Sequence, residues 1–145
     1  RNYQYQIELG KKIIEQGFMD IWADSLYAGL FSDNFLKTIE SLIPKLKEAL
    51  FERYKDRKRA LYRLLEAEGN YLENIENLYN DFKKIENPLM VIAGEHDRLT
   101  PPYVQKKAEK ILNLAKYMEF PECGHVVYME RPKEFFSLVV DFISR

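Results

Sequence analysis

Only one cysteine, Cys123, stands among 145 residues. A single thiol cannot close an intrachain disulfide, so the expected setting is a reducing compartment, the cytoplasm. No run of about 18 apolar residues occurs, and no membrane-spanning helix is expected. A strong excess of either sign of charge is missing too, with 22 Lys and Arg against 23 Asp and Glu and a formal net charge of −1. Whole-chain electrostatics therefore point to neither nucleic acid nor an acidic partner. There are 2 histidines, and neither H-E-x-x-H nor paired-cysteine spacing surrounds them, so no metal is expected at His96, Asp97 or His125. There is no internal repeat and no low-complexity tract. What remains is a chain 46% hydrophobic and 31% charged, the composition of a globular protein with a real core.

Two periods divide the sequence. From about Tyr5 to Ile85 it reads as helix. In GKKIIEQGFMDIWADSLYAGLF the apolar residues Ile14, Phe18, Ile21, Trp22 and Leu26 recur at helical spacing. Ser32, followed by Asp33 and Asn34, has the character of an N-cap. Pro44 marks a kink or boundary near Ile43. A longer helix is expected from Lys45 to Ala67, ended by Gly69 and Asn70, then a short one from Tyr71 to Tyr79. The aromatic residues Phe18, Trp22, Tyr27, Phe31, Phe35, Phe51, Tyr54 and Tyr62 are read as core, with a minority left to line a substrate wall. The basic run RYKDRKRALYR is interspersed with acids nearby and reads as a solvated helix face.

From Asn87 the pattern changes. PLMVIAG is a short apolar run without alternation, as in a strand buried on both faces of a parallel sheet. YVQKKAEKILNL follows as a helix with Val104, Ala108, Ile111 and Leu112 on one face. KYMEF is strand-like, Pro121 to Gly124 is a turn, and PKEFFSLVVDFISR is a final helix. Strand, helix, strand, helix is a βαβ unit extended by one helix, an α/β fold. The division falls into a helical region over 1–86 and a βαβα region over 87–145. Two parallel strands alone make a weak sheet, so this half reads as the edge of a larger one.

Asp97 follows the first strand and His125 the second. Carboxyl ends of parallel strands share one edge of a sheet, where ligands bind. An aspartate that fixes the tautomer of a histidine and steadies its positive charge is the support for a nucleophile. By itself Asp97 is more often a turn or cap residue, and a histidine after glycine is likewise often just a turn residue. Cys123, two positions from His125, is a weak candidate nucleophile, because loop neighbours rarely aim a thiol at an imidazole. His96 reads as a surface turn residue.

The words around the pair carry a resemblance. NPLMVIAGEHDRLTPP followed by FPECGHVVYMERPKEFFSLVVDFI resembles the end of α/β-hydrolase fold proteins. There, a strand leads to G-x-x-D with the triad acid, and the next strand leads to G-H and a helix begun by E-R-P. The matching positions are Gly94 to Asp97, Gly124 with His125, and Glu130, Arg131 and Pro132. FMDIWADSLYAGLFSDNF resembles, more loosely, the helical cap of the same family. The resemblance implies the C-terminal part of an α/β-hydrolase fold: a helical cap followed by the βαβα edge of a parallel sheet. It implies Asp97 as triad acid and His125 as triad base, in the family's order of nucleophile, acid, histidine. No G-x-S-x-G elbow is present, and none of the serines, Ser25, Ser32, Ser41 and Ser137 among them, sits between glycines in that way. The chain opens on Arg1 without methionine or leader pattern, so the nucleophile and oxyanion hole are expected upstream, in the N-terminal part of the same fold, without which this stretch alone is expected to be inactive. The implied activity is hydrolysis of a small ester, lactone or related carbonyl compound, with no cofactor. The alternative is a non-catalytic small-molecule receptor or interaction module of the same fold.

Overall fold

Gly17 divides what the apolar spacing joins. In the computed structural model, which describes residues 2–74, 80–112 and 115–144, α1 (Asn2–Gln16) and α2 (Met19–Leu30) are separate helices. Gly17 takes φ +82°. Its N–H donates to the Ile14 carbonyl and the Phe18 N–H to the Ile13 carbonyl, each at 3.1 Å. That pair of bonds around a left-handed glycine closes a helix and satisfies its last carbonyls. The break changes the phase of the apolar residues. Ile14 and Trp22 enter the core, whereas Phe18 and Ile21 are each 49% exposed.

The expected helix over 45–67 is also corrected. Pro44 sits in the first turn of α4 (Ile43–Tyr54), where its missing N–H leaves no bond unmade. The boundary stands where expected, although Ile43 itself is helical. The helix then stops at Tyr54, and α5 (Lys58–Glu73) runs straight through Gly69 and Asn70. A helix of that expected length would extend about 35 Å. Here Leu50 and Tyr54 of α4 and Leu61, Tyr62 and Leu65 of α5 pack instead around one cluster with Ile14 and Trp22. Trp22 meets Tyr54 edge-on, centroids 5.9 Å apart, a favoured aromatic geometry. Gly69 survives inside α5 because that helix lies along α1, with Ile7 facing the glycine. Packing outweighs the roughly 1 kcal/mol that glycine costs a helix. Of the short helix expected over Tyr71 to Tyr79, the first residues belong to α5, and 75–79 lie outside the described residues. The basic run over 53–63 is mostly exposed, Leu61 being its buried member. Of the eight aromatics read as core, Trp22 and Phe31 are buried; Phe18 and Phe51 are exposed.

The chain forms two compact units, Arg1–Ala28 with Ile39–Leu78, and Gly29–Thr38 with Tyr79–Arg145. In the second unit β1 (Leu89–Gly94) and β2 (Ala115–Phe120) pair in parallel, Leu89 opposite Ala115 and Gly94 opposite Phe120. The crossover holds α6 (Pro102–Gln105) and α7 (Lys107–Ile111). The one helix expected there breaks at Lys106; Val104 is exposed and Leu112 is already extended. After β2 come α8 (Val127–Glu130) and α9 (Pro132–Ile143). Phe120, Cys123 and Val127 form the core of this unit with Ile92, Phe135 and Leu138. Ala93 and Gly94 are buried, while Leu89 to Ile92 are half-buried among the described residues. No helix among the described residues is long and apolar enough to cross a membrane.

Segment 29–38, which the sequence assigns to the helical region, belongs to this second unit. It carries α3 (Asp33–Thr38). Ser32 caps that helix, its Oγ accepting from the Phe35 N–H at 3.2 Å, as expected of an N-cap serine. Asp33 accepts from Arg98 at 2.8 Å, and Leu30 accepts from the Val126 N–H at 3.2 Å.

The loops leaving β1 and β2 cross at Gly94. A Cβ there would lie 2.0 Å from the Gly124 carbonyl oxygen and 2.3 Å from that of Cys123. Both obstacles are backbone, which cannot step aside. Gly94→Ala should therefore cost on the order of 4 kcal/mol or more, the range of severe backbone or overpacking changes. Chemical unfolding of the variant checks this; an unchanged midpoint would refute the crossing.

Candidate active site

The turn after β1 is built on the turn after β2. The Glu95 N–H donates to the Phe120 carbonyl at 2.9 Å and the His96 N–H to the Cys123 carbonyl at 2.8 Å. In return, the Glu122 N–H donates to the Glu95 carboxylate at 2.8 Å. Glu122 sits at φ 55°, an uncommon conformation for a non-glycine residue and one that such turns hold by force of their surroundings. The result is a fixed spacing between the two loops.

Asp97 lies within this frame, 4% exposed. Its Oδ1 accepts the N–H groups of Leu99 and Thr100, both at 2.9 Å. A carboxylate that binds the backbone two and three residues ahead makes the local turn that aspartate favours. Oδ2 accepts from the Thr100 hydroxyl at 3.0 Å and from Gln105 Nε2 at 2.9 Å. His125 Nδ1 completes the set, 2.9 Å from Oδ2. Five donors thus converge on one buried carboxylate. Gln105 reaches it from α6 and is itself anchored by the Thr100 carbonyl at 2.6 Å.

The charges follow from this geometry. Burial pushes the Asp97 carboxyl up, but the bonds from His125 and Thr100 overcome it, and the group ends below its ordinary value. His125 is raised above its ordinary value, chiefly by its hydrogen bond to Asp97, against the opposing effect of burial. With Nδ1–H held by the carboxylate, the proton is fixed on that nitrogen in the neutral ring. Nε2 then carries the lone pair, and it has no hydrogen-bond partner among the described residues. The His125 side chain is 37% exposed. Such a pair can accept a proton at Nε2 and stabilise the imidazolium that results.

The structure thus brings together Asp97 and His125. His96 is exposed at the turn and its ring takes no part. Cys123 is buried, and burial followed by the nearby Glu130 carboxylate pushes its thiol up to about 12. It stays protonated at neutral pH and is no nucleophile. Sequence reasoning missed Thr100 and Gln105, and it took Ser32 only as a helix cap and Glu130 only as part of the E-R-P match. Thr100 carries a signal, since Asp-x-x-Thr is a side-chain-stabilised turn pattern. Gln105 carries none. Glu130 accepts from the Ser32 N–H at 2.8 Å and the Ser32 hydroxyl at 2.6 Å, across 98 positions of sequence.

Several known proteins are similar to this chain in sequence or fold. The family model described as the alpha/beta hydrolase fold matches residues 12–132. A pyrrolizixenacetamide deacetylase of Xenorhabdus hominickii is 34% identical over 61 residues, 42% of this chain and 23% of that protein. The monoacylglycerol lipase ABHD6 of Mus musculus is 29% identical over 68 residues, 47% of this chain and 20% of that one. Among solved structures, MGS-M2, an alpha/beta hydrolase enzyme from a Medee basin deep-sea metagenome library, superposes with a TM-score of 0.85 at 26% identity, covering 99% of this chain and 51% of its own. The chain therefore spans about half the length of that enzyme, and the curated matches involve a smaller share still.

Proposed function

Because this chain belongs to the α/β-hydrolase fold family, we propose that it forms the acid-and-base half of a hydrolase acting on a small ester, lactone or related carbonyl compound. The observation that carries this reading is the 2.9 Å bond between Asp97 and His125, set at the carboxyl ends of two adjacent parallel strands. His125 is the general base and Asp97 its orienting acid. The nucleophile and the oxyanion donors come from residues outside this sequence, in the part of the fold that precedes it.

The step balances as acyl transfer. The nucleophile attacks the carbonyl carbon while its proton passes to His125 Nε2. The tetrahedral intermediate collapses, the bond to the leaving group breaks, and the leaving group takes the proton from Nε2. Water then repeats the sequence against the acyl intermediate, with His125 again as base. Throughout, Asp97 remains ionised and stabilises the imidazolium. The names of two relatives, a deacetylase and a monoacylglycerol lipase, support an acyl substrate. No cofactor enters this chemistry.

The test uses the protein expressed from its full reading frame, incubated with short p-nitrophenyl esters and small lactones. Saturable hydrolysis of one of these classes is the expected result. Tight binding of the same compounds without turnover would overturn the hydrolase and favour the receptor.

A further inference from the structure

His125 is held through its backbone as well as its ring. On one side, the Gly124 N–H donates to Glu130 Oε1 at 3.1 Å. On the other, the Val126 N–H donates to the Leu30 carbonyl at 3.2 Å. The same Glu130 oxygen accepts the Ser32 N–H at 2.8 Å, and Oε2 accepts the Ser32 hydroxyl at 2.6 Å. Gly124 is closed in by these partners. A Cβ there would lie 2.6 Å from the Ser32 nitrogen and 2.7 Å from Glu130 Oε1.

Glu130 is not explained as half of an ion pair. The neighbouring Arg131 turns to Glu134 at 2.7 Å, and Glu130 forms no salt bridge among the described residues. Besides the Cys123 thiol beside it, this carboxylate holds backbone and hydroxyl donors, its two oxygens receiving three of them from two chain segments at once. The segment so bound, 29–38, also reaches the acid loop through Asp33 and Arg98.

We propose that Glu130 is a positioning residue for His125, fixing the Gly124–Val126 backbone so that the imidazole stays on Asp97. The charged side chain that meets the ring is Asp97, from the turn after β1. Thr100 Oγ1, neutral, lies 3.3 Å from Nδ1. Glu130 stands behind the loop and acts through the backbone. Loosening it lets the ring drift from the carboxylate, which weakens the bond that raises His125 above its ordinary value. A misplacement of about 1 Å in a catalytic group can cost on the order of 100-fold in rate.

Two substitutions separate position from charge. Glu130→Asp keeps the charge and shortens the reach; Glu130→Gln keeps the reach and removes the charge. The readout is the titration of the His125 ring by NMR in the protein expressed from its full reading frame, the signal being identified by its loss in His125→Ala. The expected result is a fall of the His125 pKa toward 6.5 in Glu130→Asp, a smaller fall in Glu130→Gln, and no further fall when either is combined with Asp97→Asn. An unchanged titration in Glu130→Asp would overturn the proposal. So would a fall confined to Glu130→Gln, or one that persists beside Asp97→Asn, since either would be the direct field of the carboxylate. If Glu130→Asp does not fold, Ser32→Ala, which removes one donor to the same carboxylate, decides in the same way by a fall or its absence.

The kinetic consequence rests on the hydrolase reading: kcat of Glu130→Asp should drop about 10- to 100-fold, with KM within a few-fold. Should His125→Ala keep full activity, that reading fails, while the titration still judges Glu130.

Discussion

Replacing His125 by alanine should lower kcat by on the order of 10⁴-fold or more, while KM stays within a few-fold of wild type. The imidazole is the group whose Nε2 accepts the nucleophile's proton and returns it to the leaving group, so its loss removes an interaction made only along the reaction path. Substrate contacts elsewhere are untouched, which keeps ground-state binding. The fold should also persist. Asp97 retains the Leu99 and Thr100 N–H groups, the Thr100 hydroxyl and Gln105 Nε2, so no bare charge is left in the interior, the situation that makes breaking a buried pair so costly. Circular dichroism and thermal unfolding of His125→Ala should therefore resemble wild type. Steady-state kinetics on the best ester decide the matter. A variant that turns over at the wild-type rate would remove His125 from the mechanism, and a rise in KM alone would make it a binding residue.

The pair was legible in the sequence because both members sit at positions with a local signature. Asp97 follows a short apolar run without alternation, which reads as a strand although Leu89 to Ile92 are only half-buried, and His125 follows glycine after a second strand. Period and punctuation place such residues at a sheet edge, and the resemblance of the surrounding words to the α/β-hydrolase fold singles them out as a pair. What escaped was whatever depends on three dimensions. The break between Tyr54 and Lys58 leaves no mark, since Leu50, Tyr54, Leu61 and Leu65 keep a helical phase across it. Gly17 is a stop that the apolar spacing on both sides conceals; Gly69 has the look of a stop, and packing along α1 carries the helix past it. Ser32 was legible as a cap but not as a ligand of Glu130, because a contact between distant segments has no local period. Gln105 was invisible for the same reason: an amide on a short helix has no preferred partner until the helix is aimed.

Asp97→Asn tests the electrostatic half of the pair, and its effect should be nearly as large as that of removing the histidine. Asparagine offers one acceptor oxygen and an NH₂ where the carboxylate offers two acceptors. The oxygen is best spent on Leu99 and Thr100, whose N–H groups cannot move. The NH₂ then faces His125, Thr100 and Gln105. The hydroxyl can turn and accept. Nδ1 of His125 can accept only in the other tautomer, with the proton on Nε2, where it blocks the base. A kcat loss of about 10⁴-fold is expected. Gln105 Nε2 is left facing another donor, although it keeps the Thr100 carbonyl; one buried donor poorly satisfied costs about 1–3 kcal/mol.

The pH dependence gives the sign that a mere packing defect would not. In wild type Asp97 lies below its ordinary 3.8, so its contribution to stability is present above 3.8 and is lost as pH falls through the lowered value. His125 lies above its ordinary 6.5, so its contribution is complete below 6.5 and is lost as pH rises through the raised value. Both hold together between 3.8 and 6.5. The stability gap between wild type and Asp97→Asn should therefore be widest in that window and narrow on either side. In kcat/KM, wild type should gain activity as pH rises through a value above 6.5, where His125 becomes neutral. The residual activity of Asp97→Asn should rise at lower pH, because the carboxylate that raised the ring is gone while burial still lowers it. Thermal midpoints of both proteins across pH measure the first, and pH–rate profiles the second. A gap constant with pH, or an acid limb that does not move, would mean that the bond seen at 2.9 Å carries no charge-stabilising role, and Asp97 would be reduced to the turn residue that its bonds to Leu99 and Thr100 already explain.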